Sequence, residues 1–514
     1  MFRSVFNPRF IRGTNSFWLR LLEELRPMTD RSPGNSLDVC PLSWPEQRRN
    51  LVLFASCTGM QYLAAPVLYV GITQASLCDR LGADARTSNL PGTLFFAMTA
   101  IPAIIAWASP RVASLKRNLM LCYATSACML ATLAVTLLLP LPNSVKLAMV
   151  ILQGGVSGAV MPAAIALLWE AIGRGSDESR RGLALSLAFG AGPILAVLGS
   201  FAQTALLGGD LFGLKFSGVT YPWNFVTLFG AGAPVMAVAA CLSRFLVIPP
   251  VVREPDREPI SAVADLLIGV PLMFVSVALL HAASVQSNEQ FRWAGYVAAS
   301  GAAVALVYHF RSLLRQRVLF LATVVTILVY AGNMIPSNMN LYSPEVLGDV
   351  PEKYAGLQNM LRFGFKVVAG ALLGWVLTRT NPRTGILATS TIFLLAQVWA
   401  LLVTGPWYLV AFGIFGAGEL IGVYSPNYIV SASRTNDLRR NMAFATMLMV
   451  PAAPAGYLYG AIVDFVSQHK LTALGMTPVA LGYRLSFLVC GLFILSGIVV
   501  AVTLLPKQPR APND

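Results

Sequence analysis

The chain has 514 residues, of which 56% are hydrophobic and 12% are charged, and its formal net charge is +14. Soluble domains carry about 25% charged residues, so this composition excludes an ordinary soluble protein and indicates a polytopic membrane protein. The positive charge does not predict a nucleic-acid partner, because the basic residues concentrate in short loops and in the N-terminal segment, as cytoplasmic flanks of membrane spans do.

Cysteine and histidine positions predict neither a disulfide framework nor a metal site. The 7 cysteines form no CxxC pair and most lie in apolar runs, and the 3 histidines are scattered. They are typical of small core residues. We therefore expect no metal and no cofactor. The sequence also has no nucleophile motif or His/Asp cluster of the kind a membrane enzyme needs, so we expect that it is not an enzyme.

The N-terminal segment, residues 1–49, is predicted to be a cytoplasmic extension. It contains no apolar run of signal-peptide length. The stretch FWLRLLEELRPM at 17–28 fits either a short amphipathic helix on the inner membrane surface or a plain extension.

Apolar runs of membrane length predict a first bundle of six helices within residues 50–248. These runs are 51–77, 88–109, 118–140, 145–171, 182–207 and 223–248. The Pro-rich break PPVVREPDREP opens a linker, 249–316, which holds two extra spans at 263–283 and 293–310.

A second bundle of six helices is predicted within residues 317–506, followed by a cytoplasmic tail at 507–514. Its runs are 318–343, 355–377, 385–404, 406–430, 441–466 and 483–505. The predicted fold is therefore an all-α polytopic membrane protein, with two pseudo-symmetric six-helix bundles and two extra transmembrane helices between them.

Alternate loops carry the basic residues, and this sets the predicted orientation. The basic loops are 110–118, 173–182, 311–317, 378–384 and 433–440. Positively charged loops face the cytoplasm, so both termini are expected inside. The membrane is predicted to be the plasma (inner) membrane.

The two bundles share short motifs in the same order. AWASPR at 106–111 and GWVLTR at 374–379 both end a second span, and RGSDESRRGLA at 174–184 matches RTNDLRRNMA at 434–443 after a one-residue gap. A duplicated six-span unit favours two bundles that rock against each other about a site between them.

On these motifs the sequence resembles the major facilitator superfamily, in the form with two extra helices between its six-helix halves. The signature loop after the second helix is present twice, with Pro110 and Thr378 where the family has an Asp. The resemblance implies that Arg111, Arg379 and Arg383 gate the cytoplasmic side. Arginines at such positions can bind the carbonyls at helix C-termini, where a cation is favourable.

The resemblance implies a secondary active transporter that moves a small molecule by alternating access, with a proton or sodium as the coupling ion. Two alternatives stay open. One is a transporter-like sensor or assembly factor that moves nothing. The other, within the family, is a proton-coupled drug exporter, although Val150 stands where many exporters have an Arg three residues before Gln153–Gly154.

Two charged residues interrupt a predicted span and mark a candidate site. Arg362 and Lys366 lie in the run 355–377, and a charge at the bilayer centre costs roughly 3 kcal/mol. Four residues apart on a helix, they share one face. The polar residues Gln358 and Asn359 continue that face outward.

Glu419, near the middle of the run 406–430, is the candidate partner of these cations. A pair with Lys366 or Arg362 lowers the cost of burying each charge. Three interpretations stay open: an ion pair that only holds two helices together, a substrate or coupling site, and an Arg362 that snorkels toward the lipid interface.

The internal repeat favours a functional interpretation of the charges. An offset of 268 residues, set by Trp107 and Trp375, places Leu94 and Met98 at the positions of the cations, and an offset of 260 places Ala159 at that of Glu419. The first bundle is thus expected to form the same fold without these charges.

Two cations against one carboxylate predict a net positive cavity and an anionic or amphipathic substrate. The resemblance implies that the helices predicted at 355–377 and 406–430, the eighth and tenth of the family's twelve-helix core, line that cavity. The predicted substrate-binding or coupling residues are Arg362, Lys366, Glu419, Gln358, Asn359, Asn333, Gln61 and Tyr62.

Overall fold

The computed structural model describes residues 42–176, 192–211, 213–249, 259–260, 263–286, 288–377, 379–432, 445 and 447–509. The predicted amphipathic stretch 17–28 and most of the loops 173–182 and 433–440 lie outside these residues. The described chain is almost entirely helical, which confirms the all-α fold class. Its only described strands form a short hairpin, β1 (Asp210–Leu211) and β2 (Leu214–Lys215).

The first bundle contains nine described helices. They are α1 (Trp44–Leu63), α2 (Ala65–Leu68), α3 (Ile72–Arg80), α4 (Ala85–Ala97), α5 (Ile101–Ala108), α6 (Leu115–Leu138), α7 (Asn143–Gly175), α8 (Gly192–Leu207) and α9 (Trp223–Ser243).

The linker supplies α10 (Ala264–Gln286) and α11 (Glu289–Leu314), which pack on each other. The second bundle contains nine described helices. They are α12 (Arg317–Tyr330), α13 (Pro336–Leu341), α14 (Ser343–Leu347), α15 (Pro351–Leu377), α16 (Pro382–Leu402), α17 (Val410–Gly418), α18 (Ile421–Ser431), α19 (Pro454–Gln468) and α20 (Pro478–Leu504).

Ten helical segments of the described chain are long and apolar enough to cross a membrane, which confirms a multi-pass membrane protein. The other four predicted spans correspond to the broken helix α1–α3, to α8 and α19, whose predicted spans begin in residues that the structure does not describe, and to α15, which carries charges. The total of fourteen spans and the domain boundaries stay predictions.

Several spans are interrupted near their middle. The first span breaks between Leu63 and Ile72, and 3-10 turns replace the α-helix at Met98–Ala100 and Ala331–Met334. The span predicted at 406–430 breaks between Gly418 and Ile421. Irregular backbone inside a membrane is tolerated only where it is buried in protein or lines a cavity, so these breaks point to the centre of the molecule.

The two bundles meet along two pairs of helices. Helix α4 of the first bundle packs on α19 of the second, and α8 packs on α15, while α13 contacts α3 between them. The linker helices cover one of these seams, because Leu266, Val270 and Met273 of α10 share a small apolar cluster with Ala97 of the first bundle and Val450 of the second.

Candidate functional site

A single carboxylate binds two cations at the centre of the second bundle. Arg362 Nε donates to Glu419 Oε2 at 3.0 Å, and Arg362 Nη2 donates to Oε1 at 2.5 Å. Lys366 Nζ donates to Oε2 at 3.1 Å. The two parallel Arg–carboxylate bonds are the strong bidentate form of this interaction. The structure therefore brings together the three charges that the sequence singled out, and both cations share the one acid.

The three members of this cluster, which we call the charge triad, differ in exposure. The side chains of Arg362 and Glu419 are 7% and 11% exposed, whereas that of Lys366 is 23% exposed. Arg362 Nη1 is buried and has no hydrogen-bond partner among the described residues. Lys366 is therefore the most accessible member of the charge triad, and Arg362 has a buried donor that no described residue accepts from.

A close helix contact positions the triad. A Cβ added at Gly416 would collide with the carbonyl oxygen of Arg362, so only glycine lets α17 approach α15 this closely. Glu419 lies one turn beyond Gly416, at the break between α17 and α18. The break and the close contact together aim the carboxylate at the polar face of α15.

The first bundle repeats this helix contact without the charges. A Cβ at Gly158 of α7 would collide with the carbonyl oxygen of Phe95 on α4, as Gly416 would with Arg362. One turn earlier, a Cβ at Gly155 would lie 3.9 Å from the side chain of Met98.

The matching glycine in the second bundle is Gly413, where a Cβ would lie 2.8 Å from the ring of Phe365. Aligning the two glycine pairs places Phe95, Thr99 and Met161 at the positions of Arg362, Lys366 and Glu419. The sequence-based offsets, which gave Leu94, Met98 and Ala159, were therefore wrong by one or two residues. The prediction that these positions are uncharged holds in either alignment.

Gln358 and Asn359 hold helices together in this structure. Gln358 Nε2 donates to Ser343 Oγ at 2.8 Å within the second bundle. Asn359 Nδ2 donates to Gln203 Oε1 at 3.0 Å and lies 3.4 Å from Thr73 Oγ1, both in the first bundle. Asn359 thus joins the two bundles one helical turn from Arg362.

Gln61 and Tyr62 lie on the facing side of the first bundle. Gln61 Nε2 donates to the Tyr69 hydroxyl at 3.1 Å, and the ring centroids of Tyr62 and Tyr69 are 6.0 Å apart. The Tyr69 ring in turn lies 6.2 Å from that of Phe363, the neighbour of Arg362. Tyr69 was not predicted from the sequence, because the break between α2 and α3 turns it toward the centre.

Asn333 is not joined to the triad by any described contact. It lies in the 3-10 turn Ala331–Met334, and its Oδ1 is buried without a hydrogen-bond partner in the described structure. Its assignment to the substrate site stays a prediction.

Several hydrogen bonds join the described parts of the two bundles on the side of the triad opposite the basic loops, which we call the far end. Asp464 of α19 accepts from the backbone N–H of Ala85 and of Arg86, at 3.1 and 3.0 Å, and from Arg86 Nε at 2.9 Å. Asp84 accepts from the next N–H, that of Thr87, at 2.8 Å.

The first turn of α4 is therefore capped partly by a residue from the other bundle. A carboxylate at a helix N-terminus is favourable both as a hydrogen-bond acceptor and against the helix dipole. No local sequence pattern predicts this contact, because Asp464 and Arg86 are far apart in the chain.

Asparagines of α13 add further bonds at the far end. Asn89 Nδ2 donates to Asn338 Oδ1 at 2.6 Å, and Asn340 Nδ2 donates to Ser76 Oγ at 2.7 Å. The bundles are thus closed on each other at the far end.

The predicted gating arginines lie at the end with the basic loops. Arg383 Nη1 donates to the carbonyl of Leu505 at 2.7 Å, just past the C-terminus of α20. This is the contact with a helix C-terminus that was expected of these arginines, and their gating role stays a prediction. Arg111 and Arg379 are exposed, and Thr378, at the family's Asp position, lies outside the described residues.

The fold and the site define a class of protein: two helical bundles that enclose a buried charged cluster form the architecture of membrane transporters. A family model described as Major Facilitator Superfamily matches residues 50–455, and the chain belongs to this family. The family indicates a transporter and not an enzyme. A search of curated proteins found no match.

Solved structures with the same fold are transporters of different substrates. An auto-inhibited POT family peptide transporter has a TM-score of 0.61 at 13% identity, covering 91% of this chain and 99% of its own. A D-xylose-proton symporter has a TM-score of 0.58 at 12% identity, with 90% and 99% coverage. The nucleoside transporter NupG has a TM-score of 0.53 at 11% identity, with 88% and 98% coverage. At these identities the likeness shows the fold alone.

Proposed function

We propose that this protein is a secondary active transporter that moves a small anionic or amphipathic molecule by alternating access, with the charge triad as its substrate-binding or coupling site. The observation that carries the proposal is the contrast between the bundles. The second bundle holds three charges at a helix contact that the first bundle builds with Phe95, Thr99 and Met161. Charges that the fold does not need, buried in a membrane protein, favour a functional role.

The contacts between the bundles support a conformation that opens toward the basic loops. The far end is closed by the bonds of Asp464, Asn338, Asn340 and Asn359. Toward the basic loops, a Cβ added at Gly370 of α15, one turn beyond Lys366 on the same face, would meet nothing within 4 Å among the described residues. With the basic loops in the cytoplasm, as the sequence predicts, this is a cytoplasm-facing state.

The exposures of the triad suggest how an anion enters the site. Lys366 is the more exposed cation, so an anion arriving from the basic-loop end competes with Glu419 for Lys366 first. A carboxylate that loses one of two neighbouring cations binds a proton more readily. An anion and a proton can therefore load together, which makes a proton our favoured coupling ion over sodium.

Movement of α15 links the site to the far end. Arg362 and Asn359 lie on the same helix, about one turn apart, and Asn359 bonds to Gln203 of the first bundle. A ligand that shifts Arg362 also strains the Asn359 bond. This coupling gives a substrate the means to favour opening of the far end, as alternating access requires.

A ligand screen followed by uptake tests the proposal. Purified protein is screened by thermal shift against mono- and dicarboxylates, phosphate esters and uncharged compounds, and each hit is then tested for uptake in proteoliposomes with an imposed proton or sodium gradient. We expect stabilisation by anions, uptake driven by a proton gradient, and loss of both in Lys366→Met.

The matched control is Lys146→Met, at the start of α7 and away from the triad, which should leave binding and uptake intact. If Lys366→Met transports its substrate as well as the natural protein does, the assignment of the site is wrong. If ligands bind in a Lys366-dependent way but none moves across the membrane, the sensor alternative is favoured.

A further inference from the structure

Aromatic rings from the two bundles meet beside the charge triad and form what we call the aromatic wall. The rings of Tyr62 and Tyr69 from the first bundle are 6.0 Å apart and tilted by 35°, and the Tyr69 ring lies 6.2 Å from that of Phe363 in the second bundle. Tyr62 and Tyr69 are only partly buried. Two partly exposed rings at the centre of a membrane protein form a surface on which a planar apolar group can stack.

Arg362 is joined to the same wall. Its guanidinium carbon lies 5.5 Å from the centroid of the Phe363 ring and 5.6 Å from that of Phe415. These distances are within the range of cation–π contacts. The aromatic wall and the positive charge are therefore parts of one surface.

Two buried polar atoms beside this surface have no partner among the described residues. They are Arg362 Nη1, a donor, and Gln61 Oε1, an acceptor. Arg362 and Gln61 are 6% and 1% exposed. A buried polar atom without a partner is unfavourable, and a ligand on the aromatic wall could bind both atoms, since Gln61 contacts Tyr69 and Arg362 contacts Phe363.

The amide nitrogen of Gln61 holds this side chain in place. Its Nε2 donates to the Tyr69 hydroxyl at 3.1 Å, so the amide is oriented by the same tyrosine that forms the wall. The free Oε1 can accept from an N–H or O–H group of a ligand lying on that ring.

We propose, on the basis of the proposed transport function, that the substrate is a planar aromatic acid that carries an N–H or O–H donor on its ring. Its anionic group binds Lys366 and Arg362 Nη1, its ring stacks on Tyr62 and Tyr69, and its donor binds Gln61 Oε1. Tyr69 is then a specificity-determining residue, because it both supplies the stacking surface and orients Gln61.

Binding of four defined probes by the purified full-length protein tests this substrate class. The probes are 4-hydroxybenzoate, benzoate, cyclohexanecarboxylate and phenol, which remove the donor, the aromatic ring and the anionic group in turn. We expect 4-hydroxybenzoate to bind most tightly and benzoate less tightly. Because stacking contributes about 0.5–1.5 kcal/mol, cyclohexanecarboxylate should bind roughly twofold to twelvefold more weakly than benzoate. Phenol should not bind measurably.

Three variants assign the preferences to residues. Tyr69→Leu should abolish the preference for benzoate over cyclohexanecarboxylate, whereas Tyr69→Phe should keep it, since the ring remains. Gln61→Leu should abolish the preference for 4-hydroxybenzoate over benzoate. The thermal unfolding temperature of each variant without ligand establishes that it is folded.

Failure of the aromatic substrate class and failure of the anion site give different binding results. If cyclohexanecarboxylate binds as tightly as benzoate, and binding still depends on Lys366, the aromatic substrate class is wrong and the anion site stands. If the aromatic probes, phenol included, bind equally well to Lys366→Met, the anion site itself is wrong. If none of the probes binds, the inference is overturned while other anions in the transport screen still test the site.

Discussion

The two bundles make the same helix contact with different chemistry at its centre. In the first, Gly158 lets α7 approach the Phe95 carbonyl of α4, and in the second Gly416 lets α17 approach the Arg362 carbonyl of α15. Only the second places a carboxylate and two cations beside the contact.

This difference distinguishes the residues that the fold requires from the residues that it does not require. Glycine at the contact is common to both bundles and is a packing requirement. The charges occur in one bundle only, and burying them costs free energy that the first bundle avoids. If this distinction is correct, variants of the charged residues should lose uptake, whereas variants of first-bundle residues should change stability alone.

Removing one member of the buried pair should have the largest effect on stability. Arg362→Met leaves Glu419 with Lys366 as its only described cation, and breaking a buried pair costs about 3–5 kcal/mol. We expect a large drop in the thermal unfolding temperature and no uptake.

The double variant Arg362→Met/Glu419→Met is the matched control. Replacing both partners by apolar residues is often neutral for stability, so the unfolding temperature should recover while uptake stays lost. Recovery of uptake as well would show that the pair only holds two helices together.

Replacing the glycine at the helix contact should lower the stability less, and it should do so in both bundles. Gly416→Ala and Gly158→Ala each force a backbone shift, and overpacking typically costs about 1–3 kcal/mol. Gly364→Ala, where an added Cβ meets open space, should be neutral or slightly stabilising because alanine favours the helix.

Unfolding temperatures of the three glycine variants provide the measurement. Only Gly416→Ala should also lower ligand affinity, since it alone displaces a residue of the triad. Equal losses of affinity in Gly158→Ala and Gly416→Ala would remove the distinction between the bundles.

Weakening the far-end contact should shift the conformational balance with a smaller effect on stability. Asp464→Asn keeps the shape but removes the charge that pairs with Arg86 and caps α4, an effect of about 1 kcal/mol. We expect the far end to open more often. The measurement is the rate at which a membrane-impermeant thiol reagent labels a cysteine introduced at Ser337, compared with the same cysteine in the natural background. An unchanged or slower rate would contradict the gate assignment.

The smallest effect is expected at the first-bundle counterpart of Lys366. Thr99→Val removes the hydroxyl that donates to the Phe96 carbonyl at 2.7 Å, which should cost about 1 kcal/mol of stability and leave uptake unchanged. A loss of uptake comparable to that of Lys366→Met would mean that Thr99 and Lys366 are equally important for transport.

Much of the fold and the core of the site could be predicted from the sequence. Long apolar runs identify spans because backbone in lipid must be hydrogen-bonded within a helix. Arg362 and Lys366 could be placed on one face by helical spacing, and Glu419 followed as a carboxylate at matching depth in a helix that lines the same cavity.

Contacts that depend on three-dimensional placement could not be predicted. Asp464 caps a helix of the other bundle, and nothing in its local sequence indicates this. Tyr69 turns inward only because the first span breaks beside it. Asn359 was assigned to the substrate face, yet its amide bonds to Gln203 across the closed end.

The most direct test of the account is a charge-free variant, Arg362→Met/Lys366→Met/Glu419→Met, which makes the second bundle resemble the first at this level. Its unfolding temperature and its uptake of the identified substrate in proteoliposomes are measured together. We predict a stably folded protein, with an unfolding temperature close to that of the natural protein, and no uptake. A variant that still transports its substrate, or one that fails to fold, would contradict the claim that these charges serve transport and not the fold.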